Sequence, residues 1–438
     1  MKPSLLAFAI ASLALAACAQ DAPPAATADP EAPPTLVGQR ARNQLLSEPS
    51  GPNYLTGGVT IIQMYTDNAR LTSTGSTGNL SYDIQPQIAL NHTGPRLSYS
   101  MSASAGFVMN RDIQEQNQAT QSGNLDLTYN VRQFTSIRIS DSFTNTTGLW
   151  SGGPTADVGG VSNVGAAQQP NQSLLTYGRF RANTALAELT HQFTLNGSGG
   201  LRATHFYTWF PDQATSPIVG TIYGGQTYSA EAFYNHRINS RQWVGTTLRA
   251  QRFDVGQPVS PRTDSASLLV LYGIDFRQGM SLSFFAGPEL SITSNQGLVS
   301  PPTLVPGRMW SPVTGAVFSK AGRNTAATAS FVRQVSDGGG LPSAVTLSYV
   351  NGEVLRQMTR RIAMEVGFGY AHGTPIIGNQ TIRTYSGYGQ CTYRVGHNYM
   401  FVAGYSRDDN TAAGSSVSAS ADRVWVSFAY NFMRSLGH

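Results

Sequence analysis

Residues 423–432 read Arg-Val-Trp-Val-Ser-Phe-Ala-Tyr-Asn-Phe, and this stretch decides the fold class. Every second residue is apolar, so in an extended strand these side chains form one continuous apolar face. The apolar positions are Val424, Val426, Phe428, Tyr430 and Phe432. The other face is mixed and comprises Arg423, Trp425, Ser427, Ala429 and Asn431. Such a strand needs an apolar environment on one side only.

The same alternation recurs along the chain in segments of about ten residues, the length of strand that crosses a bilayer at a tilt. Turns rich in Gly, Asn, Ser and Pro separate these segments. Clear examples are residues 80–90, 97–107, 125–131, 266–276, 282–292 and 362–370. Together they predict an all-β protein whose strands each have one apolar and one polar face.

The connections between these segments alternate in length. Short links are predicted at residues 92–96, 133–136, 196–199, 239–241, 277–279, 321–324, 359–361 and 396–398. Longer links fall between them, at residues 110–121, 147–173, 211–224, 255–263, 294–308, 374–381 and 409–421, with a shorter one at 337–342. Regular alternation of short and long links is typical of transmembrane β-barrels, whereas a soluble β-sandwich has no reason to keep it.

The last strand, with its closing aromatic Phe432, resembles the C-terminal strand of Gram-negative outer-membrane β-barrels. In those proteins the barrel-assembly machinery of the outer membrane recognises this strand. The resemblance implies a transmembrane antiparallel up-and-down β-barrel in the cell outer membrane, with short periplasmic turns and longer extracellular loops. Counting back from this strand predicts about eighteen strands, with about sixteen as the alternative because residues 59–67 and 174–193 are ambiguous. The barrel is predicted over residues 57–432, followed by a periplasmic tail at 433–438.

The N-terminus predicts export. Lys2 precedes an apolar run and then a run of small residues at 14–19, which is the pattern of a bacterial secretory signal. Leu-Ala-Ala-Cys at 15–18 also fits a lipobox, which would remove residues 1–17 and attach a lipid to Cys18. Ordinary cleavage after residue 19 is the alternative. Residues 18–56 are rich in Ala and Pro and are predicted to form a disordered periplasmic linker.

The composition excludes several other classes of protein. Only 12% of the residues are charged and two are lysine, which is low for a soluble surface. No apolar run long enough for a transmembrane helix follows the signal. Although the pI is about 9.2, the arginines are scattered among acidic residues, so no nucleic-acid partner is predicted. Cys391 is the only cysteine besides Cys18, so no disulfide is predicted.

Charged residues that share the polar side of the strands are predicted to line the lumen. They are Asp83, Asp126, Arg138, Arg202, Glu231, Arg249, Asp275, Glu289 and Glu365. A barrel of this size encloses an aqueous channel unless something fills it, and a charged lining selects solutes by charge and size. The predicted function is therefore a passive, porin-like channel for small hydrophilic solutes. Pairing of these charges with one another, which would only brace the wall, is the alternative interpretation.

Two other functions stay open: a barrel hydrolase with a Ser/His site near the outer rim, and a plugged barrel that serves as a surface scaffold. The candidate histidines are His191, His205, His236 and His372. They are isolated in sequence, without metal-ligand spacing and without a Gly-x-Ser-x-Gly nucleophile motif. We therefore predict no enzymatic activity, no catalytic residues, no metal and no cofactor.

Features at the barrel ends complete the predictions. The Gly-rich loop 147–173 either folds inward as a constriction, as in porin-like barrels, or lies outside as a mobile loop. Residues 407–410, Arg-Asp-Asp-Asn, form either a divalent-cation site bridging lipopolysaccharide or a solvated loop.

Outer-membrane lipids and lipopolysaccharide are expected partners, and an oligomer is compatible with the sequence. Aromatic girdles are predicted from Tyr54, Tyr65, Trp209, Phe210, Trp243, Trp310, Tyr388, Tyr399 and Trp425.

Overall fold

The computed structural model describes residues 53–69, 76–114, 117–147, 179–210, 215–216, 220–221, 224–255, 260–276, 279–296, 308–336, 343–376, 381–396, 398–413 and 417–435. The predicted signal sequence with Cys18, nearly all of the predicted linker and the loop 148–173 lie outside these ranges. Within them, no helix is long and apolar enough to cross a membrane.

The described part of the chain contains twenty β-strands, of which eighteen form one sheet. The first seven are β1 (Asn53–Thr66), β2 (Asn79–Thr93), β3 (Leu97–Asn110), β4 (Gln118–Arg132), β5 (Thr135–Thr147), β6 (Arg179–Gln192) and β7 (Gly197–Trp209). A separate two-residue ribbon follows, made of β8 (Thr215–Ser216) and β9 (Gly220–Thr221). The sheet continues with β10 (Gly225–Asn239), β11 (Gln242–Val255), β12 (Ser260–Asp275), β13 (Met280–Gln296), β14 (Arg308–Ala321), β15 (Thr325–Ser336), β16 (Val345–Gln357), β17 (Ile362–Pro375), β18 (Thr381–Val395), β19 (Tyr399–Ala413) and β20 (Val417–Ser435).

The sheet closes into a barrel because β1 pairs with β20. Every other sheet strand pairs antiparallel with the sheet strands before and after it in sequence. The predicted antiparallel up-and-down barrel of eighteen strands is therefore confirmed. The closing strands are longer than predicted, since β1 begins at Asn53 and β20 extends to Ser435. Their ends lie opposite each other, Tyr54 facing Ser435, so each supplies the hydrogen-bonding edge that the other needs.

The links at the end of the barrel that holds both termini are all short, whereas most links at the other end are longer. Two predicted long links are wrong: residues 255–263 contain only a short link between Val255 and Ser260, and residues 409–421 are mostly strand, because β19 runs to Ala413 and β20 begins at Val417. The sequence there is polar but still pairs in register, with Asp409 opposite Ser420. Polar residues at this end therefore extend the two strands beyond the apolar part of the wall.

The two faces of the wall follow from the register, since directly opposed residues project to the same side of a sheet. The outer face is the one that exposes large apolar side chains, such as Leu248, Leu268, Val366 and Val426. The inner face carries small and polar residues, as in Ser98, Ser100, Ser102 and Ser104 of β3. Val424 and Val426 of the deciding stretch are more than half exposed on the outer face. The barrel is therefore polar inside and apolar outside, the reverse of a soluble protein.

Three prolines interrupt the ladders between neighbouring strands. Pro288 of β13 lies opposite Pro312 of β14, so this must be a pair without hydrogen bonds between the two strands. The missing N–H of Pro288 then faces β12, and that of Pro312 faces β15. The β12–β13 ladder omits the two residue pairs at Pro288, and the β14–β15 ladder ends at Thr314 opposite Arg333. Pro86 of β2 interrupts the β2–β3 ladder in the same way.

Beyond Thr314 the end of β15 turns into the lumen and overlaps β14. Val335 has the parity of an outward residue, yet it is 1% exposed and packs with Phe253 of β11 and Ala344. Met309 of β14 packs against the same cluster. The Val335 N–H, which would donate to Pro312 in a continued ladder, donates instead to the Glu289 carboxylate at 3.1 Å. We call this overlap of β14 and β15 the seam.

The seam gives a prediction for Pro312→Val, which restores the missing N–H. We expect β15 to pair with β14 beyond Thr314, because Val335 then regains a backbone partner. Cysteines at Val313 and Gln334 would become a directly opposed pair and form a disulfide in much higher yield than with Pro312 present. The measurement is oxidative cross-linking in a Cys391→Ser background. Cysteines at the opposed residues Val317 and Ser330 are the control and should cross-link equally in both backgrounds. Equal yields at the test pair would contradict the role given to Pro312.

Candidate pore lining

The structure places all nine predicted lumen residues on the inner face of the wall. Asp83 lies on β2, Asp126 on β4, Arg138 on β5, Arg202 on β7, Glu231 on β10, Arg249 on β11, Asp275 on β12, Glu289 on β13 and Glu365 on β17. They do not form one cluster. Most occupy an arc from β4 to β13, and the others lie on the facing arc.

Five of these residues and Glu188 form one row around the wall, which we call the ionic row. Its members, in order, are Arg138, Glu188, Arg202, Glu231, Arg249 and Glu289. Neighbours in the row lie directly opposite each other, except that Ser267 of β12 separates Arg249 from Glu289. The charges alternate in sign along the whole row. Residues of opposite charge at opposed positions stabilise the sheet, so the row braces the wall as well as lining it.

Arg202 is the centre of the ionic row. Its guanidinium contacts the Glu188 carboxylate on one side and lies 3.3 Å from Glu231 on the other. The three side chains are only 15%, 10% and 18% exposed, so these ion pairs are poorly screened by solvent. The guanidinium also lies 5.5 Å from the centre of the Phe233 ring, a favourable cation–π position. At the end of the row, Arg138 Nε donates to Asp126 at 3.0 Å.

The other end of the ionic row meets the seam. Arg249 Nη1 donates to the Gln334 side-chain oxygen at 3.3 Å, and Arg249 lies 3.9 Å from the Glu289 carboxylate. Glu289 is fully buried and accepts the Val335 N–H, so its burial is explained by the interrupted β14–β15 ladder. The ionic row therefore holds the inward end of β15 in place, and this end of β15 narrows the lumen on this side.

Two carboxylates on the facing arc, which runs from β17 through β20 and β1 to β2, are held differently. Glu365 is 3% exposed and accepts hydrogen bonds from Tyr388 Oη at 2.8 Å and Gln390 Nε2 at 2.9 Å. Asp83 accepts a hydrogen bond from the side-chain amide of Gln85. These carboxylates are oriented by neutral donors, in contrast to the ion pairs of the ionic row.

Asp408 and Arg423 form a buried ion pair on this arc that the sequence analysis did not single out. They lie on β19 and β20, and their side chains are 7% and 1% exposed. The Arg423 guanidinium donates directly to the Asp408 carboxylate. The pairing was missed because nothing in the sequence indicates which opposite charges meet; the ladder register decides that.

Four large inner aromatics lie flat against the wall instead of filling the lumen. Each lies over a glycine directly opposite on the neighbouring strand, where a β-carbon would clash with the ring. The pairs are Trp243 with Gly273, Phe285 with Gly315, Tyr388 with Gly367 and Trp425 with Gly404. Trp243, Tyr388 and Trp425 were predicted to form outer girdles, and that prediction is wrong. Glycines at the opposed positions favour the inward orientation because they leave room for the rings.

The structure brings none of the four candidate histidines into the lumen, and only His372 lies directly opposite a serine, Ser348, on the outer face. His205 stacks on Tyr228 and His236 on Tyr234, all on the outer face. His191 Nδ1 lies 2.8 Å from Thr135 Oγ1, and His372 Nε2 lies 3.5 Å from Thr374 Oγ1. These contacts do not form a Ser–His pair of the kind that hydrolysis requires.

The segment 407–410 does not present its carboxylates to one point. Arg407 and Asp409 lie on the outer face and bond each other at 3.0 Å, while Asp408 points inward to Arg423. Arg407 also lies 3.3 Å from Asp422. Among the residues that the structure describes, no group of acidic, His or Cys side chains is arranged to hold a metal ion.

No protein-family model matches the sequence, and no match to a curated protein was found either. Among solved structures, the chain is similar to the outer membrane protein OpdK of Pseudomonas aeruginosa, at 9% identity and a TM-score of 0.43, over 87% of this chain and 99% of that one. OccK2 (OpdF) of P. aeruginosa in complex with glucuronate matches at 10% identity and a TM-score of 0.43, over 87% and 98%. OccAB4 of Acinetobacter baumannii matches at 9% identity and a TM-score of 0.42, over 89% and 100%. The strand number and the inner face of this barrel are established by its own register.

Proposed function

We propose that this chain is a passive channel in the cell outer membrane for small hydrophilic solutes. The observation that carries the proposal is the inside-out barrel, in which eighteen closed strands present a polar inner face and an apolar outer face. A ring of about this many strands encloses an aqueous lumen, and its apolar exterior is stable only against lipid.

The lining supports passage of solutes without a conformational cycle. The charges of the ionic row are held in place by their neighbours, and the inner aromatics lie against glycines, so the lining is preorganised. Serines, threonines and carboxylates between these groups offer hydrogen bonds that replace part of the hydration of a solute. The seam narrows one side of the lumen and favours small solutes.

The proposed orientation places the short links and both ends of the barrel in the periplasm, with the longer links outside. In this orientation β20 descends to the periplasmic side, where the barrel-assembly machinery would read its terminal strand. Lipids and lipopolysaccharide would contact the outer face.

Single-channel recording in planar lipid bilayers tests the proposal. We expect the purified protein to produce ohmic current steps in KCl, because the lumen is polar and no moving part is required. Added small sugars or carboxylates should reduce the current if they enter the lumen. A folded barrel, recognised by its heat-modifiable band, that produces no current would contradict the channel. Labelling of such a silent barrel by a serine-reactive probe would favour the hydrolase, and no labelling would favour the scaffold.

A further inference from the structure

The outer wall carries a row of cationic and hydroxyl side chains across β15 to β18. Arg333, Ser348, His372 and Arg383 lie directly opposite one another in sequence along these four strands. Neighbouring strands are about 4.8 Å apart, so the two arginines flank a surface about 14 Å wide. Both arginines are exposed, and both lie at the long-link end of the barrel. We call these four residues the outer cationic row.

Unlike Arg252 and Arg262 on β11 and β12, the arginines of the outer cationic row have no carboxylate partner among the residues that the structure describes. On β11 and β12, Arg252 and Arg262 each lie within 3.0 Å of Asp264. Arg333 and Arg383 make no ion pair with any residue that the structure describes. The outward Asp409 of β19 lies opposite Tyr385 and is held by Arg407 at 3.0 Å. Within the described part of the wall, the positive charge of the row is therefore uncompensated.

The position of the row matches the edge of the apolar part of the wall. On β17, His372 lies eight residues beyond the outward Met364, which is a distance of about 26 Å along the strand. Because barrel strands are tilted, this corresponds to about 20 Å along the membrane normal. Directly below the row lie Phe331, Val350, Tyr370 and Tyr385, again opposite one another. The rings of Tyr370 and Tyr385 are 4.8 Å apart and form an aromatic shelf of the kind found at lipid headgroup level.

We propose that the outer cationic row binds the phosphate groups of a phosphorylated glycolipid of the outer leaflet. Unpaired guanidinium groups are suited to phosphate, which they bind through two parallel hydrogen bonds. Ser348 and Thr374 supply neutral donors between them. A glycolipid with a phosphate at each end of a disaccharide fits two cations at the ends of a flat strip, with its acyl chains on the aromatic shelf below. The leaflet follows from the orientation proposed above.

Binding of lipid A to the purified full-length barrel in detergent micelles tests this site. The probes are bisphosphorylated lipid A, its monophosphorylated form and phosphatidylglycerol, measured by native mass spectrometry or by a fluorescent analogue. We expect binding in the order bisphosphorylated, monophosphorylated, phosphatidylglycerol. The double variant Arg333→Gln/Arg383→Gln should weaken binding of bisphosphorylated lipid A about tenfold or more, since each interfacial arginine adds to the attraction of an anionic lipid. Arg383→Lys keeps the charge but loses the two parallel hydrogen bonds, so it should weaken binding less than Arg383→Gln does.

The matched control is Arg252→Gln/Arg262→Gln, which removes the same charge from the neutralised cluster on β11 and β12. We expect this control to change binding by less than about twofold. Equal loss in both double variants would show attraction by net charge only and overturn the site. So would binding that does not depend on the lipid phosphates. The assay needs no conductance, so this inference and the proposed channel can fail separately.

Discussion

Arg202→Met is expected to destabilise the barrel by about 3 kcal/mol and to increase the preference of the channel for cations. The substitution leaves Glu188 and Glu231 facing each other without the cation between them, although both are at most 18% exposed. Removing one partner of a buried ion pair costs about 3–5 kcal/mol, and the lower end applies because the lumen is aqueous. Added negative charge in the lining should raise the cation-to-anion permeability ratio at least about twofold.

Urea unfolding in lipid vesicles measures the first effect, and the reversal potential under a KCl gradient measures the second. Glu188→Gln combined with Arg202→Met removes one of the two carboxylates that lost their cation. This double variant should recover part of the stability and part of the original ion selectivity. Arg252→Met is the control on the outer face, and it should leave the reversal potential unchanged. A reversal potential that does not move in Arg202→Met would show that the ionic row lies outside the path of the ions.

Arg423→Met is expected to cost about 3–5 kcal/mol, because it leaves the Asp408 carboxylate buried without its cation. The pair joins β19 to β20, and β20 closes the barrel against β1. We therefore also expect slower folding into vesicles, because the barrel closes only when β20 pairs with β1. Asp408→Asn combined with Arg423→Met should be more stable than Arg423→Met alone, since it removes the unpaired charge.

Arg407→Met is the matched control for this prediction. Arg407 is next to Asp408 in sequence, but it is 51% exposed and its ion pairs with Asp409 and Asp422 are on the outer face. Exposed pairs contribute little, so this variant should unfold at nearly the same urea concentration as the unchanged protein. Similar losses in Arg407→Met and Arg423→Met would contradict the assignment of the stability to burial.

Much of the lining could be predicted because parity is local. Whether Glu231 or Arg249 faces the same side as the neighbouring serines depends only on the two-residue period of its own strand. Glu188 was missed because the segment that contains it could not be assigned as a strand from sequence. Parity placed Trp425 on the mixed face, which is the inner one, but its aromatic character also led to its assignment to an outer girdle; Gly404 leaves room for the ring inside.

The stretch at 423–432 and its repeats by themselves determined an antiparallel barrel with an apolar outer face and a polar inner face, and left eighteen or sixteen strands open; the structure has eighteen. A backbone that alternates its side chains needs no tertiary information for this. Only the tertiary structure decided which charges pair, that Pro312 interrupts the ladder to β15, and that Val335 turns inward to Glu289. Those features depend on the register between strands, and register is established when all eighteen ladders close into one ring.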